Sequence, residues 1–368
     1  MKKHIAVALF ALTIFSCKTD KKQETPAEKE SMKQQTFYLG TYTDGDSEGI
    51  YKYALLEDGT LSKIGLLAKV ENPSFLALSK DGKTLLAVNE NENGSIESFA
   101  IENDSLTKES HSETGGAHPC FVNVNADGDV LAANYTGGNI GLLKLDGNKL
   151  SDLKFVEQHE GSGTDERQSA PHAHSTWFLP GSEKDFVSVD LGTNELWFST
   201  IKNDSIKLKN KLMLPEGVGP RHLVFHPTED WIYVVNELIS SVTLIKKDGD
   251  NYTIASTVST LPEDFEGESF CADIHISKDG KFVYASNRGH ETIAVFKVQE
   301  NGDLEALEYE SVRGEHPRNF ALSPDEDFLL VANKNANNIV SYKRDANTGM
   351  LDFVSEIAAP SPVCILFD

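Results

Sequence analysis

The chain has 368 residues, 39% of them hydrophobic and 19 of them Phe, enough to build a large core and too apolar for a disordered body. Lys plus Arg number 34 against 57 Asp plus Glu, and the resulting charge of −23 repels phosphate backbones and argues against nucleic acid as a partner. Against that background a local cluster of Arg and His marks a place built for an anion.

Residues 1–17 read MKKHIAVALFALTIFSC. Lys2 and Lys3 precede an apolar stretch from Ile5 to Phe15 that is too short to cross a bilayer as a mature helix. The run Ile14-Phe15-Ser16-Cys17 resembles a bacterial lipobox. It predicts a lipoprotein signal peptide over 1–16, lipidation of Cys17, a flexible polar tether over 17–35 and an exported protein held to the membrane by lipid alone. Cys120, Cys271 and Cys364 then remain, an odd number with no zinc-like spacing. Each stands at the start of an expected strand, where a small buried hydrophobe fits.

Residues 36–368 carry a repeat. A Pro or turn residue leads into a short apolar strand, an Asp-Gly-like turn, a second apolar strand ending in Asn or Asp, and a third strand. Copies begin at Asn72, His118, Gly219, Phe270 and His316, with a degenerate one near Pro171. The strand-end markers are Asn89, Asn134, Asp190, Asn236, Asn287 and Asn333. Alternating apolar residues, tight turns and a period of roughly 45–50 residues predict four-stranded propeller blades. The seventh copy is split. The chain enters at Phe37 with a second and third strand but no first, and ends at Pro362–Asp368 with a first strand and nothing after it. The expected fold is an all-β, seven-bladed propeller, closed within one monomeric chain by its last strand.

In a propeller, the start of the first strand and the end of the second open on the same face. The position after the Pro reads Ser74, Cys120, His174, Arg221, Ala272, Arg318 and Val363, and the next includes His222 and Asp273. After the strand-two markers stand Glu90, Tyr135, Leu191, Glu237, Arg288 and Lys334. Blades four to seven therefore aim His174, Arg221, His222, Asp273, Glu237, Arg288, Arg318 and Lys334 at one funnel. Three Arg at one channel mouth suit bidentate capture of a carboxylate or phosphate. The other His residues, among them His118, His226, His275 and His316, read as structural. There is no Gly-rich phosphate loop, no GxSxG elbow, no HExxH and no metal constellation, so neither cofactor nor metal is expected.

The stretches GPRH (219–222), FHP (225–227), VNEL followed by SSV (235–242), ADIHIS-DG (272–280) and HPRNF-LSPD (316–325) resemble the seven-bladed 6-phosphogluconolactonase family, which is related to the fungal carboxymuconate cyclase. The resemblance implies hydrolysis of a sugar-acid lactone at a channel-mouth site of His, Arg and Glu. By position it implies Arg221 and Glu237 as catalytic, Arg288 as a second site Arg, and either His174 or His172 as the site His. Arg221, with Arg288, would stabilise an oxyanion, Glu237 or His174 would serve as general base, and Arg318 and His222, beside Asp273, would hold the substrate anion. Arg221 and Glu237 sit at strand ends, so losing either is expected to remove charge rather than core volume. Residues 159–171 form a long loop that could cover the site. A muconate-type cycloisomerase and a non-catalytic binder of a sugar acid or a protein stay open as alternatives. The export signal also conflicts with a cytosolic phosphorylated sugar and favours an unphosphorylated or externally produced lactone.

Overall fold

Each repeat forms one antiparallel sheet, four-stranded except in blade three, because its short apolar runs are joined by turns whose residues accept a left-handed backbone. The structure is a computed structural model that describes Met1, residues 34–249 and residues 251–368. The expected signal peptide, Cys17 and the tether as far as residue 33 lie outside the described residues. The described residues form seven sheets. Their inner strands are Pro362–Phe367 in blade one, then Leu76–Leu78, Pro119–Val124, Ala173–Phe178, Pro220–Phe225, Phe270–Ile276 and Pro317–Leu322 in blades two to seven. Blade three departs slightly, its outer edge being broken into Lys149–Leu150 and Phe155–Gln158.

The split first blade is present as expected. The C-terminal strand Pro362–Phe367 pairs antiparallel with the first strand, Gln34–Thr41, with Phe37 opposite Phe367 and Leu39 opposite Ile365. This removes the two open edges that would otherwise template aggregation. Seven apolar clusters fill the blade interfaces. The cluster joining blades one and seven, which includes Phe37, Leu39, Tyr53, Phe328 and Leu330, is as dry as the others. Cys120, Cys271 and Cys364 are buried and free, in keeping with a packing role.

Two recurrent local features build the channel mouth. First, the residue before the entry Pro takes a left-handed conformation in five blades, at Asn72, His118, Gly219, His316 and Ser361. In all five, blades one, two, three, five and seven, its carbonyl accepts the amide of the residue after the end of strand two, namely Tyr42, Glu90, Tyr135, Glu237 and Lys334. That bond brings the two ends of each hairpin onto one rim and gives His118 and His316 a structural place. Second, the inner-strand ladder slips near its entry in six blades, after a Pro at Cys120, Arg221, Arg318 and Val363 and after Ala173 and Cys271 at His174 and Ala272–Asp273. A bulge re-aims a side chain that regular pairing would commit to one sheet face.

Candidate active site at the channel mouth

The bulges of blades three, four and seven and the strand-two ends of blades two, three, five and six converge on a cavity of about 260 Å³. One wall is Tyr42, Glu90 and Arg318, the other is Glu237, Arg288 and Arg167, and Cys120, Tyr135 and His174 lie between them. Such a volume suits one small ligand rather than a polymer. Below it the channel is plugged. Phe75 stacks on Phe121 at 4.3 Å, and Phe121 meets Trp177 at 4.8 Å and His222 at 5.5 Å. The site is therefore a blind funnel, with one way in.

Glu237 is the anionic centre. Its Oε2 lies 3.0 Å from Arg221 Nε and 3.0 Å from Arg288 Nη2, and its Oε1 accepts from Arg167 Nη2 at 2.6 Å. Burial alone would raise the Glu237 carboxyl, but Arg288, Arg221 and Arg167 outweigh burial and hold it at about 2. Arg288 is fixed from behind, donating through Nη2 to the Cys271 carbonyl at 2.6 Å and through Nε to that of Phe270 at 3.3 Å. Arg318 is held more loosely. Among the described residues its guanidinium makes no hydrogen bond; it lies over the Tyr42 ring at 5.4 Å and reaches Glu90 only at 4.0 Å. Glu90 is already engaged by the hydroxyls of Tyr42, at 2.8 Å, and Ser74. Arg318 is thus the cation with donors to spare. Lys334 sits over the same Tyr42 ring at 4.8 Å, on the rim.

His174 faces the cavity and settles which of the two sequence candidates does so. Burial, then Arg221, His222 and Arg318, push its pKa well below the usual imidazole value, so the ring is neutral near pH 7. His172 turns aside: its ring stacks on Tyr135 at 4.5 Å, with Nδ1 3.0 Å from the Tyr135 carbonyl.

Three expected positions need correction in depth. Arg221, His222 and Asp273 reach the funnel's axis but lie beneath the cavity, not on its wall. Arg221 is only 2% exposed, and its Nη1 is spent on the Ala272 carbonyl. Burial and the charges of Arg318 and Arg288 lower its pKa to about 10, so it stays cationic. His222 donates from Nδ1 to Asp273 at 2.8 Å, and Asn319 Nδ2 donates to the other Asp273 oxygen at 2.6 Å. Asn319 Oδ1 in turn accepts from the Ile365 amide at 2.7 Å. This chain of buried polar groups ties blade five through six and seven to the closing strand. In blades four and seven the bulge turns one residue, His174 or Arg318, to the cavity and leaves the next, Ser175 or Asn319, in the ring below, whereas in blade five the bulge residue Arg221 itself stays buried.

Arg167 escaped the sequence reading because it stands outside the repeat column, and Tyr42 because the split blade lacks an Asn or Asp marker, although Tyr42 fills the blade-one place in that column with its amide on the Ser361 carbonyl at 3.1 Å. Tyr42 follows the first strand of the split blade. Arg167 lies in the loop before blade four, on a 3₁₀ turn, Glu166–Gln168, capped by Asp165.

His174, His222 and Glu237 share one direction of shift, all downward. Burial and then Arg221 depress His222 to about 4, and Glu237 sits at about 2. A group with a lowered folded pKa stabilises above its unfolded pKa and loses that contribution as pH falls towards the folded value. The His contribution should fade below about pH 6.5 and the Glu237 contribution below about pH 4.3. The melting temperature is expected to fall steadily from pH 7 to pH 4; a melting temperature level over that range would contradict the buried neutral His pair.

The family model described as "Lactonase, 7-bladed beta-propeller" matches residues 36–367. The chain is 36% identical over 341 residues to a 6-phosphogluconolactonase from Bacillus subtilis, covering 90% of this chain and 97% of that one. It is 33% identical to a 6-phosphogluconolactonase from Formosa agariphila, over 85% and 94% of the two chains. Among solved structures, the periplasmic gluconolactonase of Pseudomonas aeruginosa superposes with a TM-score of 0.86 at 29% identity, over 91% of this chain and 99% of that one. By fold, by repeat and by match along the whole described domain, the chain belongs to the seven-bladed β-propeller lactonase family.

Proposed function

We propose that the protein hydrolyses a sugar-acid lactone to the free acid, with His174 as the base and Arg288 and Arg318 as the oxyanion donors. The observation that carries this is a neutral imidazole facing a wall of guanidiniums across a blind cavity. His174 takes a proton from water as the water oxygen bonds to the lactone carbonyl carbon. The carbonyl oxygen gains negative charge between Arg288 and Arg318, two guanidiniums already on the cavity wall, so little reorganisation is needed. The tetrahedral intermediate then expels the ring oxygen, which receives the proton from His174. Glu237, at about 2, is too weak a base for this step; it positions Arg288 and Arg167 instead. Arg221 supports Glu237 from below. The steps call on this chain's own residues, so turnover is expected to survive a chelator.

The names of the relatives support a lactone substrate, and the periplasmic gluconolactonase offers a precedent for work outside the cytoplasm. We read this protein likewise as an exported lipoprotein anchored through Cys17. Cys17→Ser should move it from the membrane fraction to the soluble one, whereas finding the unaltered protein unlipidated in the cytosol would reverse this reading.

The test of the activity is acid release from glucono-δ-lactone and its 6-phosphate by residues 36–368, measured against spontaneous hydrolysis. His174→Gln is expected to lower kcat by roughly 10²–10⁴-fold, the usual contribution of a general base, with little change in melting temperature. Because the base is active when deprotonated and its pKa is lowered, kcat should be level from pH 6 to 8. A His174→Gln enzyme with normal kcat would assign the base elsewhere.

A further inference from the structure

In four of the six marker positions, an Asn Nδ2 donates to a carbonyl of the segment arriving from the previous blade: Asn89 to Glu71, Asn134 to Thr114, Asn287 to Thr260 and Asn333 to Val312. Blade four has Asp190 instead. A carboxylate cannot donate, and its partners are donors. Asp190 Oδ2 lies 2.7 Å from His159 Nδ1, while Oδ1 accepts the amides of His172 at 2.9 Å and Thr193 at 2.7 Å. His159 and His172 are the two ends of the loop that carries Arg167. One buried carboxylate therefore fastens both ends of that loop.

The rest of the loop is fastened as firmly. The His159 ring is buried and stacks on Trp197 at 4.0 Å. Gln168 is buried and donates through Nε2 to the Leu191 carbonyl at 2.7 Å and to Asn194 Oδ1 at 3.0 Å. Gly192 lets the loop's return run close, since a Cβ there would stand 1.9 Å from the Ala170 oxygen. At the far end of this brace stands Arg167, whose side chain keeps 38% of its surface exposed although it bonds to buried Glu237.

Charge gives the loop its use. Around Glu237 stand three guanidiniums, a surplus of two positive charges, in a protein of net charge −23. Arg221 and Arg288 are buried and committed to backbone carbonyls. Arg167 keeps the largest free surface of the trio, its side chain being 38% exposed against 10% for Arg288 and 2% for Arg221. We infer that Arg167, braced by the Asp190–His159 pair, is a specificity-determining residue that selects lactones bearing an additional anionic group, a carboxylate or a phosphate. This rests on the lactonase reading of the same cavity. It also offers a way to join an exported protein to a cation-rich site, because an acidic sugar lactone need not be phosphorylated.

The test compares neutral glucono-δ-lactone, its 6-phosphate and a glucarolactone, in which the added anion is a carboxylate. The unaltered enzyme should favour at least one acidic lactone over the neutral one by about tenfold or more in kcat/KM, the scale of one charge-assisted hydrogen bond. Which of the two is favoured separates phosphate from carboxylate. Arg167→Ala should erase that preference through KM, raising KM for the favoured acidic lactone at least about tenfold more than for glucono-δ-lactone, and Arg167→Lys should restore part of it. His159→Gln and Asp190→Asn, which touch no substrate, should weaken the preference too, and should speed tryptic cleavage after Arg167 in the folded protein. An equal loss on neutral and acidic lactones, or an unchanged preference, would overturn the proposal. If no lactone is turned over above background, the lactonase reading fails on its own, and calorimetry with 6-phosphogluconate and gluconate decides this one. Tighter binding of the phosphate that depends on Arg167 sustains it; equal binding, or none, overturns it.

Discussion

Glu237→Gln is expected to lose folding stability as well as turnover. The substitution keeps the shape of the side chain and removes one negative charge. Glu237 is 3% exposed and stands among Arg221, Arg288 and Arg167, so its loss leaves three guanidiniums facing one another with no carboxylate between them. Breaking a buried ion pair by removing one partner costs about 3–5 kcal/mol, because the surviving charge stays desolvated and unpaired. The repelled Arg288 would also leave its place at the carbonyl oxygen, and misplacement by about 1 Å can cost 10²-fold in rate. Thermal melts and kcat/KM on the same preparation check both parts. This reverses the expectation from sequence that Glu237 and Arg221 could be exchanged at little structural cost. Strand-end position suggested exposure, whereas the loop bearing Arg167 covers Glu237 and the ring encloses Arg221. An unchanged melting temperature would mean that the cluster bears on catalysis alone.

Deleting residues 361–368 is expected to abolish cooperative folding. The closing strand buries Val363, Cys364 and Ile365 and covers Phe37, Tyr38 and Leu39 of the first strand. Each fully buried large apolar side chain contributes about 1.5–3 kcal/mol, and a whole domain is stable by only about 5–15 kcal/mol. Two polar losses add to this. Lys52, with a side chain 3% exposed, would lose its 2.9 Å ion pair with Asp368, and Asn319 would lose the Ile365 amide that steadies the Asp273 network. The truncated chain should melt broadly or not at all, and should aggregate through the exposed edge of its first strand. The intact domain should sediment as a monomer. A truncated protein with the melting curve of the full domain would refute closure by this strand.

Much of this architecture was legible in the sequence for a plain reason. Blade strands are short apolar runs, their turns use Asp and Gly, and the split copy has its missing strand at the other end of the chain. The repeat register likewise carried the funnel column, because two strand ends of every blade meet on one rim. Depth was not legible. Period-two alternation cannot say that a bulge lifts His174 and Arg318 to the cavity while Arg221 and His222 stay below it. Nor can a repeat point to Arg167, which belongs to no repeat column, while Tyr42 was hidden because its blade ends the second strand in Thr41 rather than in an Asn or Asp marker. One signal for Arg167 did exist: Asp190 stands where every other marker is Asn. That exchange turns a donor into an acceptor, and it called for a donor such as His159 nearby.

The slip in the inner ladder has a wider consequence. A residue that stands outside the pairing count can be exchanged without shifting the partners before and after it, so its identity is uncoupled from the register of its blade. Around the rim, the propeller therefore behaves like a socket ring with numbered ports, some loaded and some blank. His174 and Arg318 occupy loaded ports; Ala272 and Val363 occupy blank ones. Chemistry can be rewired port by port, by single substitutions, while the seven interblade cores that hold the ring together stay as they are.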